Sequence, residues 1–175
     1  MLHPQGLPPH LLRLDRTLVM GVLNVTPDSF SDGGRFLDTA TAVRHGLAMA
    51  ADGADIVDVG GESTRPGSER ISSDEELGRV IPVVQQLHEA GVTVSIDTMR
   101  AEVAAAALGA GAAIVNDISG GKADPGILPV VASSEAPFIL MHWRGPSNIM
   151  ATLTDYDDVA RDVAAEISAQ VEVVV

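Results

Sequence analysis

DIVDVGGESTRPG, residues Asp55–Gly67, is the stretch that decides the fold. Asp55–Val59 reads as a strand that carries Asp58. Gly60–Gly67 then brings together two adjacent glycines, hydroxyls, an arginine and a proline, which read as a loop. In parallel α/β folds, ligands bind at the carboxyl ends of the strands, where such loops begin. Backbone amides and Thr64 can hold phosphate oxygens there, and Arg65 can fork onto them. The plain structural alternative is that Arg65 pairs with Glu62 or Glu69 at the surface.

Working outward, the same strand–loop–helix unit recurs. Thr17–Asn24 is short, apolar and β-branched and fits a fully buried parallel strand, Val25–Leu37 is a long loop, and Asp38–Ala51 a helix capped by Asp38, with Val43 and Leu47 on one face. After the loop Gly60–Ser72, Ser73 opens a helix to Ala90, with Glu76 as capping-box partner and Gly91 as its stop. Val92–Ile96, Ala113–Asn116 and Pro137–Met141 are further strands. Arg100–Leu108, Asp124–Ala132 (Pro125 in its first turn) and Asp155–Val175 are further helices. The Val-rich end VEVVV stays helical, because Val159, Val163, Ile167 and Val171 keep an i, i+4 stripe. Residues 1–16, with four Pro or Gly punctuators, form a loose lead-in.

Five alternating β and α units imply a parallel sheet. A doubly wound sheet would be complete at this length, whereas a (β/α)8 barrel needs about 250 residues. Pattern alone favours the doubly wound sheet.

Composition narrows the function. The chain has 175 residues, 46% hydrophobic and 20% charged, which suits one globular domain with an aliphatic core. A formal net charge of -13 argues against nucleic-acid and anionic-membrane partners. With no cysteine, disulfides, thiolate metal sites and thiol nucleophiles are excluded. No secretory leader is read at the N-terminus, and no apolar run reaches the ~18 residues of a membrane helix. A soluble cytoplasmic protein is expected.

Each strand delivers polar side chains at its carboxyl end. They are Asn24, the loop after Asp58, Asp97-Thr98, Asn116-Asp117 and His142-Trp143-Arg144. One such residue is ordinarily a cap or turn former; five in register indicate a shared site. Val25–Leu37, with Gly33 and Gly34 as hinges, reads as a lid or as a surface Ω-loop. There is no G-x-G-x-x-G after a strand, no P-loop and no nucleophile elbow. No metal cage is visible either, so any metal would be a hard ion sharing substrate phosphates, as Mg²⁺ prefers.

The loops also carry a resemblance. MGVLNVTPDSFSDGGRF (Met20–Phe36) and DIVDVGGESTRPG resemble the two signature segments of the dihydropteroate synthase family. SIDTMR (Ser95–Arg100), IVNDISGG (Ile114–Gly121) and LMHWRG (Leu140–Gly145) resemble its next three strand ends, in order and spacing. The resemblance implies a (β/α)8 TIM barrel of which about the first five βα units are present, with residues 17–175 as a partial pterin-binding barrel domain. It implies a transferase of folate biosynthesis and a sulfonamide target. The enzyme condenses 6-hydroxymethyl-7,8-dihydropterin pyrophosphate with 4-aminobenzoate to 7,8-dihydropteroate and pyrophosphate, through a dissociative step. By the same resemblance, Asn24 is a Mg²⁺ ligand, and Asp32 and Arg65 are catalytic. Thr64, Asp97, Asn116 and Met141 bind pterin and pyrophosphate, and Phe30 and Pro66 shape the 4-aminobenzoate pocket. A family homodimer is implied as well, through late helices that are not in this sequence. His142 receives no role.

Against the family pattern, three further βα units are not in the sequence, with a second pterin-binding Asp, a Lys and a late Arg-x-His among them. The expectation is that this polypeptide alone is unstable and weakly active. The alternatives are a pterin-binding fragment without turnover and a pterin-binding methyltransferase domain. The latter would lack TPDSFSDGG and ESTRPG.

Overall fold

A computed structural model describes residues 6–13, 15–26, 34–63, 65, 68 and 70–174, with backbone alone at 34–38. Five strands, β1 (Met20–Asn24), β2 (Ile56–Gly60), β3 (Val94–Asp97), β4 (Ile114–Asp117) and β5 (Phe138–Leu140), form one parallel sheet in sequential order. A doubly wound sheet must reverse its strand order at a switch point. An unreversed run 1-2-3-4-5 is instead a stretch of barrel wall, so the barrel expectation holds and the doubly wound alternative falls. Helices α1 (Gly34–Ala51), α2 (Ser73–Glu89), α3 (Ala101–Gly109) and α4 (Ile127–Ser134) pack side by side along the wall, and α5 (Val159–Val174) follows β5.

Alternation along each strand divides the sheet into two faces. Leu23, Val57, Val59, Val94, Ile96 and Val115 point to the helices and are buried against Val80, Val83, Val84, Leu87, Val103 and Ala107. Burying each such side chain contributes roughly 1.5–3 kcal/mol. The opposite face, the barrel lumen, carries Val22, Asn24, Asp58, Gly60, Ser95, Asp97, Asn116 and Ile139. In this chain β1 and β5 are sheet edges, and Val22 on the lumen side is 58% exposed, so β1 is buried on its helix side only and not fully buried as expected. At the amino-terminal mouth Leu11, in a 3-10 turn (Leu11–Arg13), is buried against Ile56 and Ile114. Arg16 makes a two-pronged ion pair with Asp55 at 2.7 Å per contact.

Several helix ends differ from the sequence reading. α1 begins at Gly34, so Asp38 lies inside it; nothing in Arg35–Leu37 stops the helix from extending by another turn. α2 is capped by Ser72, whose hydroxyl accepts from the Glu75 amide, one residue before the cap expected from a Ser73–Glu76 box. Asp124 does not begin α4. Its carboxylate accepts from the Ala101 amide and caps α3, and α4 begins three residues later. α5 begins at Val159, and its Val-rich end is helical through Val174. Among the described residues, no helix is long and apolar enough to cross a membrane.

Candidate active site

Register places the strand-end residues in one layer. Asn24 pairs with Gly60, Gly60 with Asp97, Asp97 with Asn116, and Asn116 with Ile139. All lie on the lumen face at or near the carboxyl ends. The layer below pairs Val22 with Asp58 and Asp58 with Ser95. Asp97 and Asn116, expected to share a ligand, are therefore neighbours. The Asn116 amide donates to Asp58 Oδ2 at 2.9 Å.

The electrostatics of this layer are unusual. The Asp97 carboxyl is pushed up to about 7, first by burial and then by the negative charges of Asp58, Glu76, Asp117 and Glu62. Among the described residues it has no hydrogen-bond donor, so it keeps both oxygens for a ligand. Asp58 is 4% exposed and is also raised by burial, partly offset by the dipoles of Ser95 and Asn116. Among the described residues, Asp58 Oδ1 and the Ser95 hydroxyl have no partner within hydrogen-bond geometry.

The loop after β2 is held by a buried ion network that the sequence reading missed. Arg100, at the end of the SIDTMR segment, binds Glu62 Oε2 at 2.8 Å, the Glu76 carboxylate and the Ile71 carbonyl. Glu76, at 1% exposure, also accepts from Thr98 at 2.6 Å, and Arg70 donates to Glu62 at 3.1 Å. Glu76 is therefore a network member, not a capping-box partner, because its position on α2 faces the sheet. Gly61 allows this closeness; a β-carbon there would stand 2.7 Å from Val80 Cγ1. Arg65 is exposed. Its suggested surface partner Glu62 is taken by Arg70 and Arg100. The signal available in sequence was the i, i+2 pair Thr98 and Arg100, directly after a buried strand.

Asp117 is a turn former: it accepts from the Ser119 amide and hydroxyl at 2.7 Å and from the Gly121 amide at 2.8 Å. Met141 continues the lumen-facing alternation past β5 and is 48% exposed. It lines a cleft of about 240 Å³ with Ile118, Trp143, Met150 and Tyr156. His142 meets Glu166 of α5 at 2.9 Å, and Arg144 binds the same carboxylate while stacking 3.7 Å over the Tyr156 ring. Ser68 and Ser147 meet at 3.3 Å, so the loop after β2 reaches across to the loop after β5. Asn24 is exposed at the end of β1. Phe30, Asp32, Thr64 and Pro66 lie outside the described residues. Among those described, no three His, Asp or Glu side chains converge as a metal cluster.

This arrangement offers a flat ring a hydrogen-bonding edge (Asp97, Asn116), apolar contact at Met141, and a polar loop on each side. The family described as pterin binding enzyme matches residues 20–175. The chain is 58% identical over 152 residues to the dihydropteroate synthase of Mycobacterium leprae, covering 86% of this chain and 52% of that protein. To the dihydropteroate synthase of Synechocystis it is 54% identical over 158 residues, covering 90% and 55%. Among solved structures, the Xanthomonas albilineans dihydropteroate synthase with 4-aminobenzoic acid superposes with a TM-score of 0.82 at 43% identity, over 91% of this chain and 56% of that one. The same enzyme in complex with 7,8-dihydropteroate gives 0.78 at 40%, over 91% and 55%. The chain thus spans about half the length of the relatives it matches.

Proposed function

The chain belongs to the pterin-binding enzyme family, and on that premise we propose that it holds the pterin ring for dihydropteroate synthesis. The observation that carries this reading is the register pairing of Asp97 with Asn116 on the lumen face. An ionised Asp97 accepts two N–H groups from an aminopyrimidinone edge, and Asn116 offers a donor and an acceptor beside it. Met141 covers a ring face. Thr64 and the Arg65 guanidinium bind the pyrophosphate, the latter from its exposed loop. Phe30 and Pro66 shape the 4-aminobenzoate pocket, where sulfonamides would compete, and Asp32 stabilises positive charge on the pterin methylene.

The reaction breaks the CH2–O bond, with the electron pair leaving on pyrophosphate. The 4-aminobenzoate nitrogen forms the C–N bond and loses a proton. Arg65 meets the negative charge developing on the leaving group. Aniline nitrogen is already nucleophilic, so no strong base is needed. Asn24 would offer Mg²⁺ one hard carboxamide oxygen, and the ion would neutralise phosphate charge there. The homodimer implied by the resemblance and the cytoplasmic location expected from the composition belong to the same proposal, as does the division into a lead-in (1–16) and a partial barrel (17–175).

The test is to mix the purified chain with the dihydropterin pyrophosphate and 4-aminobenzoate, with Mg²⁺ present and withheld. Mg²⁺-dependent dihydropteroate supports the full reading. Pterin binding without product supports a binding portion alone, and absence of pterin binding contradicts both.

A further inference from the structure

Asp58 is the feature that this reading leaves unused. It lies one layer below the ring edge, 4% exposed, with one carboxylate oxygen on the Asn116 amide at 2.9 Å and the other outside hydrogen-bond geometry to any described residue. Beside it Ser95 is fully buried, its hydroxyl likewise without a hydrogen bond among the described residues. A buried carboxylate in a strand is costly and is ordinarily replaced by an apolar residue. Its flanking residues Val57 and Val59 face the helices and make the core, so Asp58 contributes nothing to that packing.

What it does contribute is orientation. A carboxamide has two nearly isosteric ends, and its rotamer is decided by its partners. An ionised carboxylate only accepts, so it binds the nitrogen end of Asn116. That spends one N–H and leaves the Asn116 carbonyl oxygen and the second N–H in a fixed order. Beside them Asp97 only accepts when ionised. We propose that Asp58 is a positioning residue that locks the Asn116 carboxamide, and so selects a 2-amino-4-oxo ring edge over edges whose donors and acceptors run in another order. This rests on the pterin reading above.

The substitution that tests it is Asp58→Asn, which keeps the shape and removes a buried charge, and can either donate to or accept from Asn116. Two quantities are measured on the full chain. One is the exchange rate of the Asn116 side-chain N–H pair by NMR, with exposed Asn148 as the internal reference. The other is the ratio of affinities for 7,8-dihydropterin and 2,4-diaminopteridine. In the unmodified chain we expect the Asn116 pair to exchange at least tenfold more slowly than that of Asn148, and the oxo ring to be preferred at least tenfold. Asp58→Asn should raise the Asn116 exchange rate at least tenfold and bring the affinity ratio toward one, while Ser95→Ala leaves the Asn116 exchange unchanged. Equal exchange of Asn116 and Asn148 in the unmodified chain would overturn the proposal without any variant. So would an exchange rate or a ratio that Asp58→Asn leaves within twofold. If the unmodified chain binds neither pteridine, the pterin reading falls, and the exchange rates alone decide the role of Asp58.

Discussion

Asp97 and Gly60 are register partners, and Asp97 Oδ2 lies 3.1 Å from where a β-carbon on residue 60 would stand. Glycine at the end of β2 therefore leaves the carboxylate its room. Alanine there would crowd it by a few tenths of an ångström. We expect Gly60→Ala to weaken dihydropterin binding several-fold, measured by fluorescence titration, with stability held within about 1 kcal/mol because the variant also loses unfolded-state entropy.

The raised Asp97 carboxyl sets a pH dependence with a definite sign. Its folded value of about 7 lies above the ordinary 3.8, so the folded chain holds this proton more tightly than the unfolded one. The associated stability is fully present below about pH 4 and is lost as pH rises through about 7. Asp97→Asn removes that loss. Its stability gain over the unmodified chain, read by urea unfolding, should be near zero at about pH 4 and on the order of 1–3 kcal/mol at about pH 8. An equal gain at both values would show that Asp97 titrates normally.

Arg100 joins two carboxylates on two elements, Glu62 in the loop after β2 and Glu76 on α2. Arg100→Met leaves Glu76 buried without a cation and Glu62 with Arg70 alone. A loss of roughly 3–5 kcal/mol is expected from urea unfolding. Arg100→Met combined with Glu76→Gln should recover part of it, since one stranded charge is then removed. A loss below about 1 kcal/mol in the single variant would mean that the network is solvated.

Glu166 is held down to about 2, mainly by the Arg144 hydrogen bond and then by His142. Its contribution is present above the ordinary value of 4.5 and is lost as pH falls through about 2. The loop carrying Trp143 should therefore keep its packing in mild acid. Trp143 emission, from the only tryptophan in the chain, should shift red in the unmodified protein only below about pH 3. Glu166→Gln should shift it at neutral pH. An emission that ignores the variant would mean that α5 does not hold this loop.

Much of this was legible in the sequence, for reasons that differ by residue. Strands β2 to β4 were readable because they are short runs rich in Val and Ile between polar loops, as in Ile56–Val59, where Asp58 alone breaks the apolar pattern. Asp97 and Asn116 stood out as polar residues ending such runs. Sheet order was not legible from periodicity, because a doubly wound sheet and a barrel use the same βα unit; only the loop motifs separated them. The roles of Glu76 and Arg100 were hidden, because Glu three residues after Ser is also a capping signal and the true partner lies 24 residues away. Asp124 misled for a similar reason: an Asp before Pro reads as the start of the next helix, whereas here its carboxylate accepts from the Ala101 amide of α3 beside it.

The central claim, that Asp97 and Asn116 together hold a pterin ring, is tested most directly by calorimetric titration of 7,8-dihydropterin. The unmodified chain, Asp97→Asn and Asn116→Ala are compared at about pH 7, in two buffers of different ionisation enthalpy. The account predicts binding by the unmodified chain and a loss of at least about tenfold (1.4 kcal/mol) in each variant. It also predicts that, near pH 7, binding by the unmodified chain releases a fraction of a proton, as the ligand's N–H donors draw Asp97 into its ionised form. Binding of equal strength by all three proteins, with no proton exchanged, would contradict it.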